Sequence, residues 1–196
     1  ITNMGNHAQL VVALNEQVLF GRIEQRAYKP GTILLIEKKW ATHPDEKIRA
    51  EYTEALAYFK EMGADAYEIP MEEECLKVVR DARKGKNMWV LGMLCAIYDR
   101  DISIAEQQIR NIFRKKTDAI INANLDLLHS GYKWADTNLE FKFSIPSIDD
   151  GVEKVVMNGN EAISFGVMAA GLELCSMYPI TPATSASHHL AEAIEY

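Results

Sequence analysis

The sequence predicts an α/β protein with a parallel sheet, followed by the beginning of a second α/β unit. Three observations carry this. Over the first 136 residues, short apolar runs alternate with longer stretches of helical period, as parallel strands joined by crossover helices require. Residues 137–153 lose that order. From residue 154 the alternation restarts.

The elements follow in order. Leu10-Val11-Val12-Ala13-Leu14 reads as a buried strand, and Glu16 to Ala27 as the helix behind it. Pro30-Gly31 turns the chain into a second buried strand, Thr32 to Ile36. Asp45 caps a helix from Glu46 to Met62, with Ile48, Tyr52, Leu56 and Phe59 on one face and Gly63 at its end. Ala66 to Ile69 is a third short strand. A helix from Pro70 to Arg83 turns Cys75, Val78, Val79 and Ala82 inward. Asn87 is placed to cap a strongly apolar helix, Met88 to Tyr98, and Ser103 the next, whose inner face holds Ala105, Ile109, Ile112 and Phe113. The last helix of this part runs from Thr117 to Ser130. Three strands with six helices make a lean sheet, which leaves room for a strand ahead of Ile1.

After the 137–153 linker, Lys154 to Met157 reads as a strand, Gly159-Asn160 as a tight turn, and Glu161 to Leu172 as a helix. Glu173 to Met177 is a second strand, Tyr178-Pro179-Ile180-Thr181-Pro182 a rigid turn, and a helix starts near Ala183. Some 43 residues are marginal for an unaided core, so this reads as the opening of a larger domain.

Composition narrows the function. The chain has 196 residues, with 28 acidic against 21 basic and a net charge of -7. No basic excess exists to neutralise a phosphate backbone, so nucleic acid is not the expected partner. No window approaches the roughly 18 apolar residues of a membrane span, and the start lacks a signal-peptide pattern. A cytoplasmic protein is expected. Cys75, Cys95 and Cys175 have no metal-ligand spacing, so neither a disulfide framework nor an iron–sulfur cluster is expected here, and they read as small buried hydrophobes.

Two turns are candidates for chemistry. Gly159-Asn160-Glu161-Ala162 joins a strand end to a helix start, where free N–H groups favour a polar or anionic ligand. The bland alternative is tight helix–sheet packing with Asn160 as cap. In Tyr178-Pro179-Ile180-Thr181-Pro182 two prolines fix φ and stiffen a turn at a strand's carboxyl end, where open α/β sheets bind ligands. Its alternative is Thr181 as helix N-cap with Pro182 at the first helical position. His188-His189 reads as a surface or interface pair. Zinc-protease, nucleophile-elbow and Walker A motifs are absent from the sequence.

The stretch Val155 to Ala162, then Ala169-Ala170-Gly171, then Tyr178 to Pro182 closely resembles the opening of the pyrimidine-binding domain of the 2-oxoacid:ferredoxin oxidoreductases. The first 136 residues look like the family's gamma domain, through Asn87-Met88-Trp89-Val90-Leu91-Gly92 and Val12-Ala13-Leu14-Asn15. The order gamma then alpha resembles the fused alpha subunit of the 2-oxoglutarate-type enzymes. The resemblance implies a gamma-type domain at 1–136 without its glycine-rich opening turn, a linker at 137–153, and the beginning of a pyrimidine-binding domain at 154–196.

The resemblance also implies an activity: oxidative decarboxylation of a 2-oxoacid, 2-oxoglutarate before pyruvate, to an acyl-CoA, with electrons passed to ferredoxin. It implies thiamine diphosphate and magnesium at an interface with a beta subunit that carries the thiamine-diphosphate motif. An iron–sulfur cluster and coenzyme A belong to the complex, and none of these groups to this chain alone. A homodimer is left open. Pro179 and Thr181 would line the thiamine and oxoacid pocket, Thr181 with its hydroxyl toward the oxoacid carboxylate, while Tyr178 and Ile180 shape the wall. Gly159, Asn160 and Glu161 would form the neighbouring turn. No catalytic residue falls within the chain, because the family's catalytic glutamate is expected beyond Tyr196; these residues alone are not expected to turn over substrate. The competing reading is a non-enzymatic α/β subunit-assembly module in which the proline-rich turn is architecture. A nucleotide-binding module is disfavoured because the glycine-rich turn is incomplete.

Overall fold

A computed structural model describes residues 8–14, 16–26, 28–146 and 150–193. They fall into two compact units, Ile1–Ile145 and Pro146–Tyr196.

The first unit is built on a parallel sheet of β1 (Leu10–Ala13), β2 (Ile33–Glu37) and β3 (Asp65–Ile69), in that spatial order. Leu10 lies opposite Ile33, and Ile33 opposite Asp65. Because side chains alternate along a strand, β2 feeds two cores. Leu34 and Ile36 face α1 (Glu16–Glu24) and α2 (Glu46–Met62), packing with Leu19, Trp40, Tyr52 and Phe59. Leu35 faces the other way, onto α3 (Met71–Leu76), α4 (Lys86–Ile97) and α6 (Asp118–Asn138), with Met71, Trp89, Met93 and Leu127. Helix α5 (Ile102–Ile112) closes a third cluster through Ile109 against Leu125 and Leu128 of α6.

The α4–α6 contact is backbone on backbone. A Cβ added at Gly92 would run into the Leu128 carbonyl, and one at Gly131 into the Trp89 carbonyl. Two glycines facing each other's helix let the axes approach closely, and the mostly buried α4 tolerates this because it has no polar face to keep wet.

Several expected boundaries differ. The 70–83 helix stops at Leu76, and Asp81 then opens a short 3-10 turn, Ala82–Lys84, by accepting from Arg83 N at 3.1 Å. A short carboxylate side chain competes for backbone donors in this way. Helix α4 begins at Lys86, not after Asn87, because the first helical hydrogen bonds run to Gly85 O, from Met88 N at 2.9 Å and Trp89 N at 3.2 Å. Asp101 rather than Ser103 caps α5, accepting from Ser103 N at 2.9 Å. Helix α6 continues past Ser130 to Asn138, because Gly131 serves the crossing and does not end the helix. Residues 139–145 hold no helix or strand. Phe143 N donates to Ile97 O at 2.7 Å, and Phe141 and Phe143 pack against this unit's core. Of the three cysteines, Cys75 and Cys95 are buried as expected, but Cys175 is exposed. Burial pushes the Cys75 thiol up to about 11.

In the second unit, α7 (Gly159–Ala169) and α8 (Ala183–Ala193) pack against each other. The strands expected at 154–157 and 173–177 are not formed, and neither stretch holds a helix. A strand exists by its ladder, and these stretches make no backbone hydrogen bonds to each other among the described residues. Val156 and Leu174 accordingly stand 102% and 82% exposed.

The least expected feature lies at the carboxyl end of β2. The Glu37 side chain is 1% exposed and meets Lys86 Nζ at 2.8 Å. Its oxygens also accept from Lys39 N at 3.2 Å and Glu72 N at 3.0 Å. Glu72 in turn binds Lys39 and, at 3.3 Å, Lys86. Burial alone would raise the Glu72 carboxyl, but the Lys39 and Lys86 ammonium groups outweigh it and hold it below the ordinary range. For Lys86, burial works against the charge, and Glu37 and Glu72 reverse the sign and raise it. A depressed carboxyl stabilises the fold above its unfolded value, near 4.3, and that stability is lost as pH falls through the folded value. A raised lysine stabilises below about 10.4, and that contribution is lost as pH rises through the folded value. Thermal melting followed against pH should therefore fall on both flanks, and Glu72→Gln should make the acid flank shallower. An acid flank identical in the variant would remove Glu72 from the account.

Candidate functional site

The second unit holds all seven residues singled out in the sequence, so its construction decides what they can do. Asn158 opens α7. Its side-chain oxygen accepts from Asn160 N and Glu161 N, both at 3.0 Å, while Glu161 returns a carboxylate to Asn158 N at 2.8 Å. This is a reciprocal capping box. The cap is thus Asn158 and not Asn160, and the Asn-x-x-Glu spacing in the sequence was the signal for it.

Relieved of capping, the Asn160 side chain reaches across to the start of α8. Its amide donates to Pro182 O at 3.3 Å and to Ser185 Oγ. The Ser185 hydroxyl itself donates to Pro182 O at 2.8 Å. One turn further along α7, the buried Ser164 hydroxyl lies 2.9 Å from Asn160 O and 2.8 Å from Ala186 O. Gly159-Asn160, expected as a tight turn before a helix at Glu161, instead opens α7 behind the Asn158 cap, and this helix start and the Tyr-Pro-Ile-Thr-Pro turn are one construction, joined by Asn160 and backed by Ser164. Ser164 and Ser185 had no local signal, since their partners lie 22 and 25 residues away in sequence. Glu161 also faces His189, at 3.5 Å, and His189 faces Glu192, at 3.6 Å.

The proline turn is shaped tightly. Ile180 N donates to Tyr178 O at 2.8 Å, a three-residue turn centred on Pro179. Thr184 N donates to Ile180 O at 3.0 Å, and the Thr181–Pro182 peptide is cis. Pro179 and Pro182 carry no N–H. Thr181 keeps both its N–H and its hydroxyl without a partner among the described residues, so it does not cap α8. Tyr178 is 77% exposed and Ile180 57%. The turn thus presents one hydroxyl and one amide donor from a backbone stiffened by two prolines. A separate groove of about 450 Å³ in this unit is lined by Val155, Val156, Phe165, Met168 and His189, and does not include the proline turn.

Among the described residues no group of three His, Cys, Asp or Glu is placed to hold a metal ion. No helix among them is long and apolar enough to cross a membrane.

Residues 2–134 match the pyruvate ferredoxin/flavodoxin oxidoreductase family, about two-thirds of the chain. The chain belongs to that family. The match covers the Asn87–Gly92 helix start and the Val12–Asn15 strand end, and it stops before the two turns. The 2-oxoglutarate oxidoreductase subunit KorA of Mycobacterium tuberculosis (strain ATCC 25618 / H37Rv) is 32% identical over 123 residues, covering 58% of this chain and 18% of KorA. A solved chain of 2-oxoglutarate:ferredoxin oxidoreductase from Magnetococcus marinus, with 2-oxoglutarate, coenzyme A and succinyl-CoA bound, has the same fold. There the TM-score is 0.72 at 24% identity, over 95% of this chain and 30% of that one. This pyruvate ferredoxin/flavodoxin oxidoreductase family member therefore spans less than a third of the length of either relative.

Proposed function

We propose that the chain is part of the alpha subunit of a 2-oxoacid:ferredoxin oxidoreductase that converts 2-oxoglutarate to succinyl-CoA and passes electrons to ferredoxin. In this reading the gamma-type domain, expected at 1–136, takes in the first compact unit to Ile145, which shortens the linker expected at 137–153, and 154–196 is the start of the pyrimidine-binding domain. The observation that carries it is the Asn160 bridge, which fuses the two family-like turns into one scaffold and leaves the Thr181 donors free. Both relatives are 2-oxoglutarate enzymes, which supports 2-oxoglutarate over pyruvate.

Thiamine diphosphate, when bound, supplies the nucleophilic carbon for decarboxylation. The residues here suit the pyrimidine and oxoacid side of such a pocket. Pro179, Ile180 and Tyr178 offer an apolar, rigid wall, and the Thr181 hydroxyl a donor for the oxoacid carboxylate. In this reading the diphosphate and its magnesium are held by a beta subunit. Asn160 and Ser164 act as positioning residues, fixing where the proline turn sits, and Gly159 and Glu161 hold the α7 end of that scaffold. The complex is expected in the cytoplasm.

The test is Thr181→Val in the full alpha subunit assembled with its beta subunit. Losing a hydrogen bond to a charged group costs about 1.5–3 kcal/mol. That corresponds to a fall of roughly 10- to 100-fold in kcat/KM for 2-oxoglutarate, with Thr181→Ser restoring most of it. An unchanged kcat/KM in Thr181→Val would end the assignment of Thr181.

A further inference from the structure

In the first unit, α1 and α2 leave an open groove of about 630 Å³ between them. It is lined by buried Ala55 and half-buried Phe20, Ile23, Tyr58 and Glu51, with Glu24 and Glu54 exposed. On α2 the lining residues recur at 51, 54, 55 and 58, a single helical stripe. Glu51 has one distant lysine, Lys47 at 3.6 Å. Neither Glu24 nor Glu54 has a cation within 4.0 Å among the described residues.

Gly21 lines the same groove from the middle of α1. Glycine inside a helix costs about 0.5–1 kcal/mol relative to alanine. Among the described residues no contact offsets that cost. Its φ is not positive, and a Cβ added there would meet nothing within 4 Å. Among the described residues the groove is therefore open above Gly21, with room there for another backbone to come close.

We infer that this groove seats a basic amphipathic helix of a partner polypeptide. Such a helix lays its apolar stripe along Phe20, Ile23 and Tyr58, passes closest at Gly21, and sets flanking lysines or arginines against Glu24, Glu51 and Glu54. Helix α1 is nine residues long, about 13 Å, so contact extends over about two turns of the occupant, with anchors at i, i+3/i+4 and i+7. Acidic rims of this kind set register and reject acidic partners. The inference concerns the first unit alone and stands whether or not the activity proposed above is correct.

The experiment uses the whole chain and a synthetic helical peptide with leucines at those spacings and lysines beside them, against a twin with glutamate for each lysine. The basic peptide should bind at least about tenfold more tightly than its twin, and more weakly as salt rises. Gly21→Leu, which changes no charge, and the pair Glu24→Lys with Glu54→Lys should each weaken it about tenfold or more. Reversing two acids elsewhere, Asp126→Lys with Glu140→Lys, should leave it within about twofold. Equal losses in the groove pair and the distant pair would reduce the binding to general charge attraction and overturn the proposal. Full displacement of the peptide by spermine would do the same, by showing a site for small polycations. Should Gly21→Leu lower the melting temperature, the charge-reversal pairs decide the outcome alone.

Discussion

Lys86→Met should destabilise the first unit by about 3–5 kcal/mol, the usual cost of stranding a buried charge. Glu37 explains the size. Its carboxylate is shut off from water, and Lys86 is its closest cation, at 2.8 Å. In the variant Glu37 would keep the N–H groups of Lys39 and Glu72 but lose its counter-charge. The Lys39 side chain cannot replace it without leaving Glu72. A fall in Tm of roughly 10 °C or more follows for a unit of this size. Combining Lys86→Met with Glu37→Gln removes both charges together and should recover a large part of the loss, since an ion pair exchanged for neutral groups is often near neutral. Melts of the two single variants and the double variant measure this directly. A Lys86→Met protein melting within a degree or two of the parent would mean that Glu37 finds another way to stay charged or to stay dry.

Gly131→Ala and Gly92→Ala should each cost about 3 kcal/mol, at the upper end of overpacking penalties. Ordinary overpacking is softened because a neighbouring side chain can rotate. Here the obstacles are the carbonyls of Trp89 and Leu128, and main chain inside a helix cannot step aside without moving the helix. The control is Gly166→Ala in α7, where an added Cβ meets nothing within 4 Å. That change should be neutral or stabilise by up to about 1 kcal/mol, from helix propensity. Urea denaturation of the three variants separates the cases. Equal midpoints for Gly131→Ala and Gly166→Ala would refute the close-crossing account.

What the sequence made legible was mostly local. Asp45 and Gly63 bracket α2 where expected, with the Asp45 carboxylate on Lys47 N and Gly63 at φ 75°. The three parallel strands stand within a residue of their apolar runs. The misses were of two physical kinds. Some caps were chosen by side-chain reach: Asp101 and Asn158 won over Ser103 and Asn160 because each accepts from the backbone two residues ahead. Others were set by partners far away. Nothing around Glu37 announces Lys86, 49 residues on, and nothing around Gly131 announces Trp89. In the second unit the apolar runs at 154–157 and 173–177 suggested strands that are not formed, because a strand also needs a neighbour, which composition cannot supply. For the candidate site, the two turns were legible one at a time. Their union through Asn160, Ser164 and Ser185 was not, because it depends on how α7 and α8 pack.

The glycine crossing also says where this chain can be divided. Helix α4 is apolar on nearly every side, and α6 covers it along a line that passes Leu128 and Gly131 and ends at buried Ala135. The family match ends at residue 134, but a polypeptide stopped there would lose the last buried turn of α6. It would also lose Phe141 and Phe143, which seal the core beside Tyr67 and Tyr98. An expression boundary for the first unit therefore belongs after Ile145, whose carbonyl receives Arg100 at 2.7 Å, eleven residues beyond the point that similarity alone would choose.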